Sequence, residues 1–228
     1  LAFLNAGYAQ EAIQTWGELR ALDERNPDLP VLYAGTLDLN AFQAARKDQM
    51  KQAREEWKKA LDFDPENPAI LQNYAISILM LDDLDEAANQ FKRLARLWMA
   101  QVNKNPRANA HLSRWVAMLE RALSTFALTK NRPDHDLTKI RAEDTVTFYQ
   151  KANQFYWILS LDKRATTALI EREYFRLIKI FNPERHAEDF MLVEESYTHL
   201  YKSQERRELL NVFAFNPLDL AQIRGRLS

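Results

Sequence analysis

Residues 67–94 read NPAILQNYAISILMLDDLDEAANQFKRL and predict two helices joined by a short turn. Asn67 is a favoured helix cap, and Pro68 suits the first turn because proline lacks the N–H that this position leaves unpaired. Apolar residues then recur every three or four positions, as on the buried face of a helix. Asp82 and Asp83 favour a turn, and a second apolar helix face follows them. The stretch therefore predicts a helix-turn-helix hairpin.

The second helix of this hairpin has two related segments earlier in the chain. In each segment a small Ala is followed four residues later by an aromatic residue, and three residues after that by another apolar residue. The three sets are Ala12, Trp16 and Leu19; Ala53, Trp57 and Ala60; and Ala87, Phe91 and Leu94. Residues at these spacings share one helix face, where the Ala allows a neighbouring backbone to approach. A further helix start at Asn26-Pro27 completes the middle hairpin, which roughly seven extra residues around 41–47 lengthen.

This pattern resembles the tetratricopeptide repeat, in which helical hairpins recur at about 34 residues. Residues 1–129 then hold two and a half repeats and an amphipathic helix over 107–129 that we expect to cap the stack. An ordinary helical bundle with Ala-rich contacts is the alternative.

The repeat resemblance implies a concave groove lined by the first helix of each hairpin. The corresponding positions are Val31, Gly35, Asp38, Gln72, Ile76 and Leu79. They lack the Lys, Arg and Asn with which chaperone-binding members of the family grip carboxylate tails. We therefore expect a protein or peptide ligand, extended or helical, that the groove holds mainly through apolar contacts.

Residues 130–143 are the predicted linker between two domains, because Asn131, Pro133, Asp134 and Asp136 favour turns and interrupt helical periodicity. The run Asp134-His135-Asp136 could hold a metal ion. The same residue types are common in surface loops, and this simpler interpretation is the one we favour. The second domain is then predicted over residues 144–228.

The second domain shows two further helical stripes. They consist of Ile170, Tyr174, Leu177 and Phe181, and of Phe190, Val193, Tyr197 and Leu200. Pro183 disfavours helical geometry at Asn182, so the first of these helices must end before the loop. Helix starts are predicted at Thr166 or Thr167 and near Ser203. The two stripes predict an antiparallel hairpin.

Residues 155–210 resemble the J domain of DnaJ co-chaperones without a gap before the loop. The matching positions are Tyr156, Ile158, Leu159, Ala165, Ile170, Tyr174, Arg176, Leu177, Pro183, Arg185, Phe190, Glu195, Tyr197, Leu200 and Arg206. In working J domains the loop reads His-Pro-Asp and triggers ATP hydrolysis in a heat-shock partner. This chain has Asn182-Pro183-Glu184 before Arg185. The imidazole is therefore missing, and the carboxylate is carried by a side chain that is one methylene longer.

The helix before that loop also departs from the family. The resemblance implies a basic helix that meets an acidic partner, whereas here Arg172, Arg176 and Lys179 share the helix with Glu171 and Glu173. We therefore expect the loop to be an ordinary turn in a retained fold with a changed partner. Some J-like proteins without the tripeptide pair with an active J protein, so a J protein or a heat-shock ATPase is a second expected partner class.

Composition argues against several other functions. Lys and Arg (31) nearly balance Asp and Glu (32), so no strong field attracts nucleic acid or anionic lipid. The four glycines are isolated, which argues against a phosphate-binding loop. The chain has no cysteine, which excludes disulfides and thiolate sites and fits the reducing cytoplasm. His199 has a carboxylate one turn away at Glu195, a spacing usual for a surface contact.

The sequence therefore predicts an all-α protein without enzymatic activity, cofactor or metal. The predicted function is a scaffold or adaptor for other proteins, to which the J-domain resemblance adds an association with chaperones. The alternative is a J-protein co-chaperone of a heat-shock ATPase. No apolar run approaches the roughly 18 residues that a membrane span needs. Because the sequence starts at Leu1 inside a predicted helix, we expect further residues upstream, where a signal or anchor could lie.

Overall fold

The computed structural model describes residues 9–23, 25–26, 28–131 and 137–217. All regular secondary structure in these ranges is helical, which confirms the all-α prediction. The helices are α1 (Ala9–Leu22), α2 (Asp28–Arg46), α3 (Met50–Phe63), α4 (Pro68–Met80), α5 (Leu84–Lys104), α6 (Ala110–Asn131), α7 (Leu137–Gln150), α8 (Ala152–Ile158), α9 (Thr167–Ile180), α10 (Ala187–Tyr201) and α11 (Gln204–Phe213).

The chain divides into two compact units at places that differ from the predicted ones. The first unit comprises Leu1–Leu97 with Asn216–Ser228, and the second comprises Trp98–Phe215. Helix α6, expected to cap the repeats, belongs to the second unit because the ring of its Phe126 packs 6.1 Å from Tyr149 and 6.4 Å from Phe213. The predicted linker is also partly helical, since α7 covers residues 137–143.

In the first unit, α1 packs against α2, α2 against α3, and α3 against α4. The Ala and the aromatic residue of all three repeated segments are buried. The last residue of each set is buried as well, except Leu19, which is 39% exposed. The repeated spacing therefore marks side chains that are buried, with Leu19 as the exception.

The turns after α2 and α4 share one backbone geometry. Asp48 and Asp82 adopt left-handed φ values of 59° and 62°. The next residue in each turn donates its N–H to a carbonyl five positions earlier, from Gln49 to Ala44 at 3.0 Å and from Asp83 to Ile78 at 3.3 Å. This is the Schellman arrangement, which closes the end of a helix. The extra residues of the middle hairpin extend α2 itself and leave its turn short.

Three predicted helix starts are confirmed by side-chain caps. The Asn67 oxygen accepts from the N–H of Ala69 at 3.0 Å. The Thr166 hydroxyl accepts from Leu169 at 3.3 Å, and the Ser203 hydroxyl accepts from an N–H three positions ahead at 3.2 Å. Each cap pairs a donor that the first turn of a helix leaves without an intrahelical partner.

In the second unit, α9 and α10 form the hairpin that the two apolar stripes predicted. The rings of Tyr174 and Tyr197 stack with centroids 3.9 Å apart, and the Tyr201 hydroxyl donates to Glu171 at 3.2 Å. Because an earlier residue of α9 meets a later residue of α10, the two helices are antiparallel. The shared core holds Ile170, Leu177, Val193 and Leu200. Helices α8 and α11 pack against α10.

Candidate protein-interaction surfaces

The loop between α9 and α10 is built around the side chain of Asn182. Its oxygen accepts from the Glu184 N–H at 2.7 Å, and its carbonyl accepts from the N–H groups of Arg185 and His186 at 3.1 and 2.8 Å. All four residues from Asn182 through Pro183 and Glu184 to Arg185 are exposed. Asn182 therefore shapes the turn, as asparagine does in many loops, while Glu184 extends into solvent.

Two of the three predicted cations of α9 have a carboxylate partner on the same helix. Arg172 approaches one oxygen of Glu173 at 3.1 Å, and Arg176 donates to the other at 2.7 Å. The hydrogen bond from Arg176 is the largest cause that lowers the pKa of Glu173, with burial acting in the opposite direction. Arg172, Arg176 and Lys179 are all exposed, yet the carboxylate of Glu173 already offsets part of the charge of the two arginines before any partner binds.

Glu171, the other acidic residue expected to dilute this helix, has a partner on α10. Its carboxylate accepts from the Tyr201 hydroxyl at 3.2 Å and so belongs to the contact between α9 and α10. The Tyr174 hydroxyl bonds to Glu194 in the same contact, and this bond is the main reason that its pKa rises to about 12. Glu171 therefore contributes to the packing of the hairpin.

The hairpin also exposes large apolar side chains, which the sequence reasoning missed. The structure describes eight such residues, and four of them lie here: Phe175 (49% exposed), Ile180 (54%), Met191 (69%) and Leu192 (47%). Met191 and Leu192 lie between the predicted stripe positions Phe190 and Val193. Apolar residues outside the stripe were therefore the sequence signal for this exposed surface. Exposed apolar side chains that lie next to one another, as Met191 and Leu192 do in the sequence, are typical of a surface that another molecule covers.

The predicted groove positions are not open in the structure. Gly35, Asp38, Gln72, Ile76 and Leu79 are buried, and Val31 is half-buried. The physical reason lies in α4, where every residue from Ile70 to Leu79 except Tyr74 is buried. A helix that is buried on all sides cannot present one side as an empty groove. Most of these side chains are therefore covered by other residues of the chain in this structure.

One of these positions, Asp38, is the centre of a buried polar network. The Trp57 indole N–H and the Asn73 amide both donate to the same Asp38 oxygen, at 2.7 and 2.8 Å. Burial raises the pKa of Asp38 to about 6, while the hydrogen bonds from Asn73 and Trp57 act in the opposite direction. Asn73 was not predicted as a site residue, although a polar side chain inside the apolar run of α4 was a visible signal.

Asn73 uses its remaining hydrogen-bonding groups on a distant stretch of backbone. Its amide donates to the Asn216 carbonyl at 2.9 Å, and its side-chain oxygen accepts from the Asn216 N–H at 2.5 Å. Both amide protons and the oxygen of Asn73 are thus engaged, as expected for a buried side-chain amide. All residues of this network belong to the first unit.

One cavity of the second unit adjoins His199. It has a volume of about 560 Å³, and its lining includes Phe148, His199 and Arg206. The His199 ring packs 4.5 Å from Phe155 and 5.3 Å from Phe148. Burial lowers the pKa of His199, and the charge of Arg206 lowers it further. His199 therefore serves mainly as an aromatic packing residue, and its contact with Glu195 is long, at 3.9 Å.

Among the described residues, no group of three or more His, Asp or Glu side chains lies close enough to hold a metal ion. The run Asp134-His135-Asp136 lies outside the described residues. None of the helices in the described ranges combines the length and apolar character needed to cross a membrane.

No protein-family model, curated protein or solved structure matches this chain.

Proposed function

We propose that the chain is a non-catalytic adaptor that binds other proteins, and that the α9–α10 hairpin is one of its docking surfaces. The observation that carries this proposal is the exposure of Phe175, Ile180, Met191 and Leu192 on a single hairpin. Burying a fully exposed large apolar side chain contributes roughly 1.5–3 kcal/mol, so a partner gains part of that free energy for each of these residues that it covers.

Two features of the hairpin support a function other than activating a heat-shock ATPase. The Asn182 oxygen is engaged inside the loop, and the Glu184 carboxylate stands farther out than the family's aspartate by about 1.5 Å, one carbon–carbon bond. Misplacing a catalytic contact by about 1 Å can reduce a rate on the order of a hundredfold. In addition, Glu173 offsets the charges with which Arg172 and Arg176 would attract an acidic partner.

The test is single-turnover ATP hydrolysis by the host's own heat-shock ATPase, with and without the purified chain. We expect no stimulation by the natural sequence and little by the double variant Asn182→His, Glu184→Asp. Adding Glu173→Lys should increase stimulation, because it releases Arg172 and Arg176 and adds a positive charge. Glu171 is left unchanged because it bonds to Tyr201.

Glu120→Lys, on the exposed face of α6, is the matched control for the change in net charge. In place of Glu173→Lys, this change should not increase the stimulation of ATP hydrolysis. Stimulation by the natural sequence comparable to that of the host's ordinary J protein would contradict the adaptor proposal and favour a J-protein co-chaperone.

A further inference from the structure

In the first unit, the side chain of Asn73 binds the main chain of a distant residue through both its NH₂ group and its oxygen. Asn73 donates to the carbonyl of Asn216 and accepts from its N–H, at 2.9 and 2.5 Å. Residues 215–217 follow α11 without regular secondary structure. The paired bonds involve only main-chain atoms of Asn216, so they are compatible with many side chains at that position. Recognition of main-chain groups is how proteins bind extended peptides of varied sequence.

Asn73 is also hydrogen-bonded to the buried core of the first unit. Its second amide proton bonds to the buried Asp38 carboxylate, which also accepts from the indole of Trp57. Asn73, Asp38 and Trp57 are all buried, so the folded core fixes the orientation of the amide. A recognition group that is already ordered loses little conformational entropy when a ligand binds.

We infer that Asn73 is the centre of a peptide-binding site in the first unit, and that the main chain of Asn216 occupies this site as an intramolecular ligand. The inference rests on the proposed adaptor function, for which it names a second ligand class: an extended peptide bound through its main chain. A tethered ligand competes at an effective concentration that reaches the millimolar range for a short linker. A partner peptide must therefore displace the chain's own segment.

The experiment compares two variants that differ in one backbone donor. Asn216→Pro removes the N–H that Asn73 accepts, whereas Asn216→Ala keeps that N–H and removes only the side chain. The probe is a fluorescein-labelled peptide of residues 213–221, and its binding to the full chain is followed by fluorescence anisotropy. Asn216→Pro should bind the probe at least about tenfold more tightly than the natural sequence or Asn216→Ala, because its own segment competes less well.

Two controls connect this binding to Asn73. A probe whose Asn216 nitrogen is methylated should not bind, since it offers no N–H. Adding Asn73→Leu to Asn216→Pro should abolish binding of the unmodified probe while circular dichroism still shows the helical fold. If either variant unfolds, the inference is tested instead by measuring hydrogen exchange in the natural sequence. The Asn216 amide should be protected, and a large excess of the probe, but not of its methylated form, should accelerate its exchange.

Equal probe affinity for Asn216→Pro and Asn216→Ala would overturn the inference. Binding of the methylated probe as tightly as the unmodified one would do the same, as would an unprotected Asn216 amide. None of these results bears on ATP hydrolysis by a heat-shock protein, which depends on the α9–α10 surface. Failure of this inference is therefore distinguishable from failure of the proposed function.

Discussion

At the residue scale, Asp38 makes the stability of the chain depend on pH. Burial raises its pKa from 3.8 to about 6, so the folded chain binds this proton more tightly than the unfolded chain does. Between these pH values the folded state carries more protons, and the free energy of unfolding must fall as pH rises. The difference corresponds to roughly 3 kcal/mol, lost between about pH 4 and pH 6.

Asp38→Asn tests this dependence, since it removes the titrating proton and keeps an oxygen that can accept from Trp57 and Asn73. Urea unfolding from pH 4 to pH 8 should show a shallower decline for this variant than for the natural sequence. Asp62→Asn, at an exposed position of α3, is the matched control and should keep the original decline. An unchanged pH dependence in Asp38→Asn would show that Asp38 is not responsible.

The small residue of each repeated segment gives a second prediction at this scale. Ala87 is completely buried in α5, whereas its neighbour Ala88 is only half-buried. Ala87→Leu should therefore destabilise the chain by about 1–3 kcal/mol, because extra carbon atoms must enter a filled core. Urea unfolding of Ala87→Leu and Ala88→Leu compares the same change on the same helix. An equal loss in the free energy of unfolding for Ala88→Leu would show that the alanine spacing has no special packing role.

At the scale of the element, Tyr197 joins three tyrosine rings in the α9–α10 hairpin. It stacks on Tyr174 at 3.9 Å and on Tyr201 at 4.7 Å. Tyr197→Leu keeps an apolar side chain but loses both ring pairs, at about 0.5–1.5 kcal/mol each, so we expect a loss of roughly 1–3 kcal/mol. Met191→Ala, at an exposed position of the same helix, should change stability by less than about 0.5 kcal/mol. Similar unfolding midpoints for both variants would contradict this description of the hairpin.

Local signals were sufficient to predict most helices and their ends. Asn67, Thr166 and Ser203 cap helices through bonds to residues two or three positions ahead, so their roles depend on neighbours in the sequence. The hairpin stripes were predictable for the same reason, since helical spacing determines which side chains share a face. The left-handed conformation at Asp82 also lies in a predicted turn.

The candidate sites were less predictable because they depend on contacts between distant residues. Asn73 meets Asn216 across 143 positions, a pairing that periodicity cannot indicate. The burial of most predicted groove positions could not be foreseen, because it depends on how many neighbours surround α4. The exposure of Met191 and Leu192 was not predicted, because a helical stripe identifies the buried face and does not show whether another element covers the apolar residues beside it.

At the scale of the whole molecule, the division into two units depends on which helices share a core. Residues 107–129 were predicted to cap the repeats, but Phe126 of α6 packs with Tyr149 and Phe213 in the second unit. Residues 98–215 form that unit, and the chain from Asn216 onward belongs to the first. Spacing within one helix identifies its apolar face, whereas the choice of packing partner depends on the shapes of all available faces.

The adaptor proposal is tested most directly by photo-crosslinking from the hairpin surface in the native host. A photoreactive amino acid replaces Met191 in one version of the full chain and Ser113, an exposed residue of α6, in another. We predict a discrete protein adduct from position 191 that is absent from position 113. Leu192→Asp should abolish it, and an excess of the unmodified chain should compete it away. The same adducts from both positions, or an adduct that survives Leu192→Asp, would contradict the claim that this hairpin binds a protein partner.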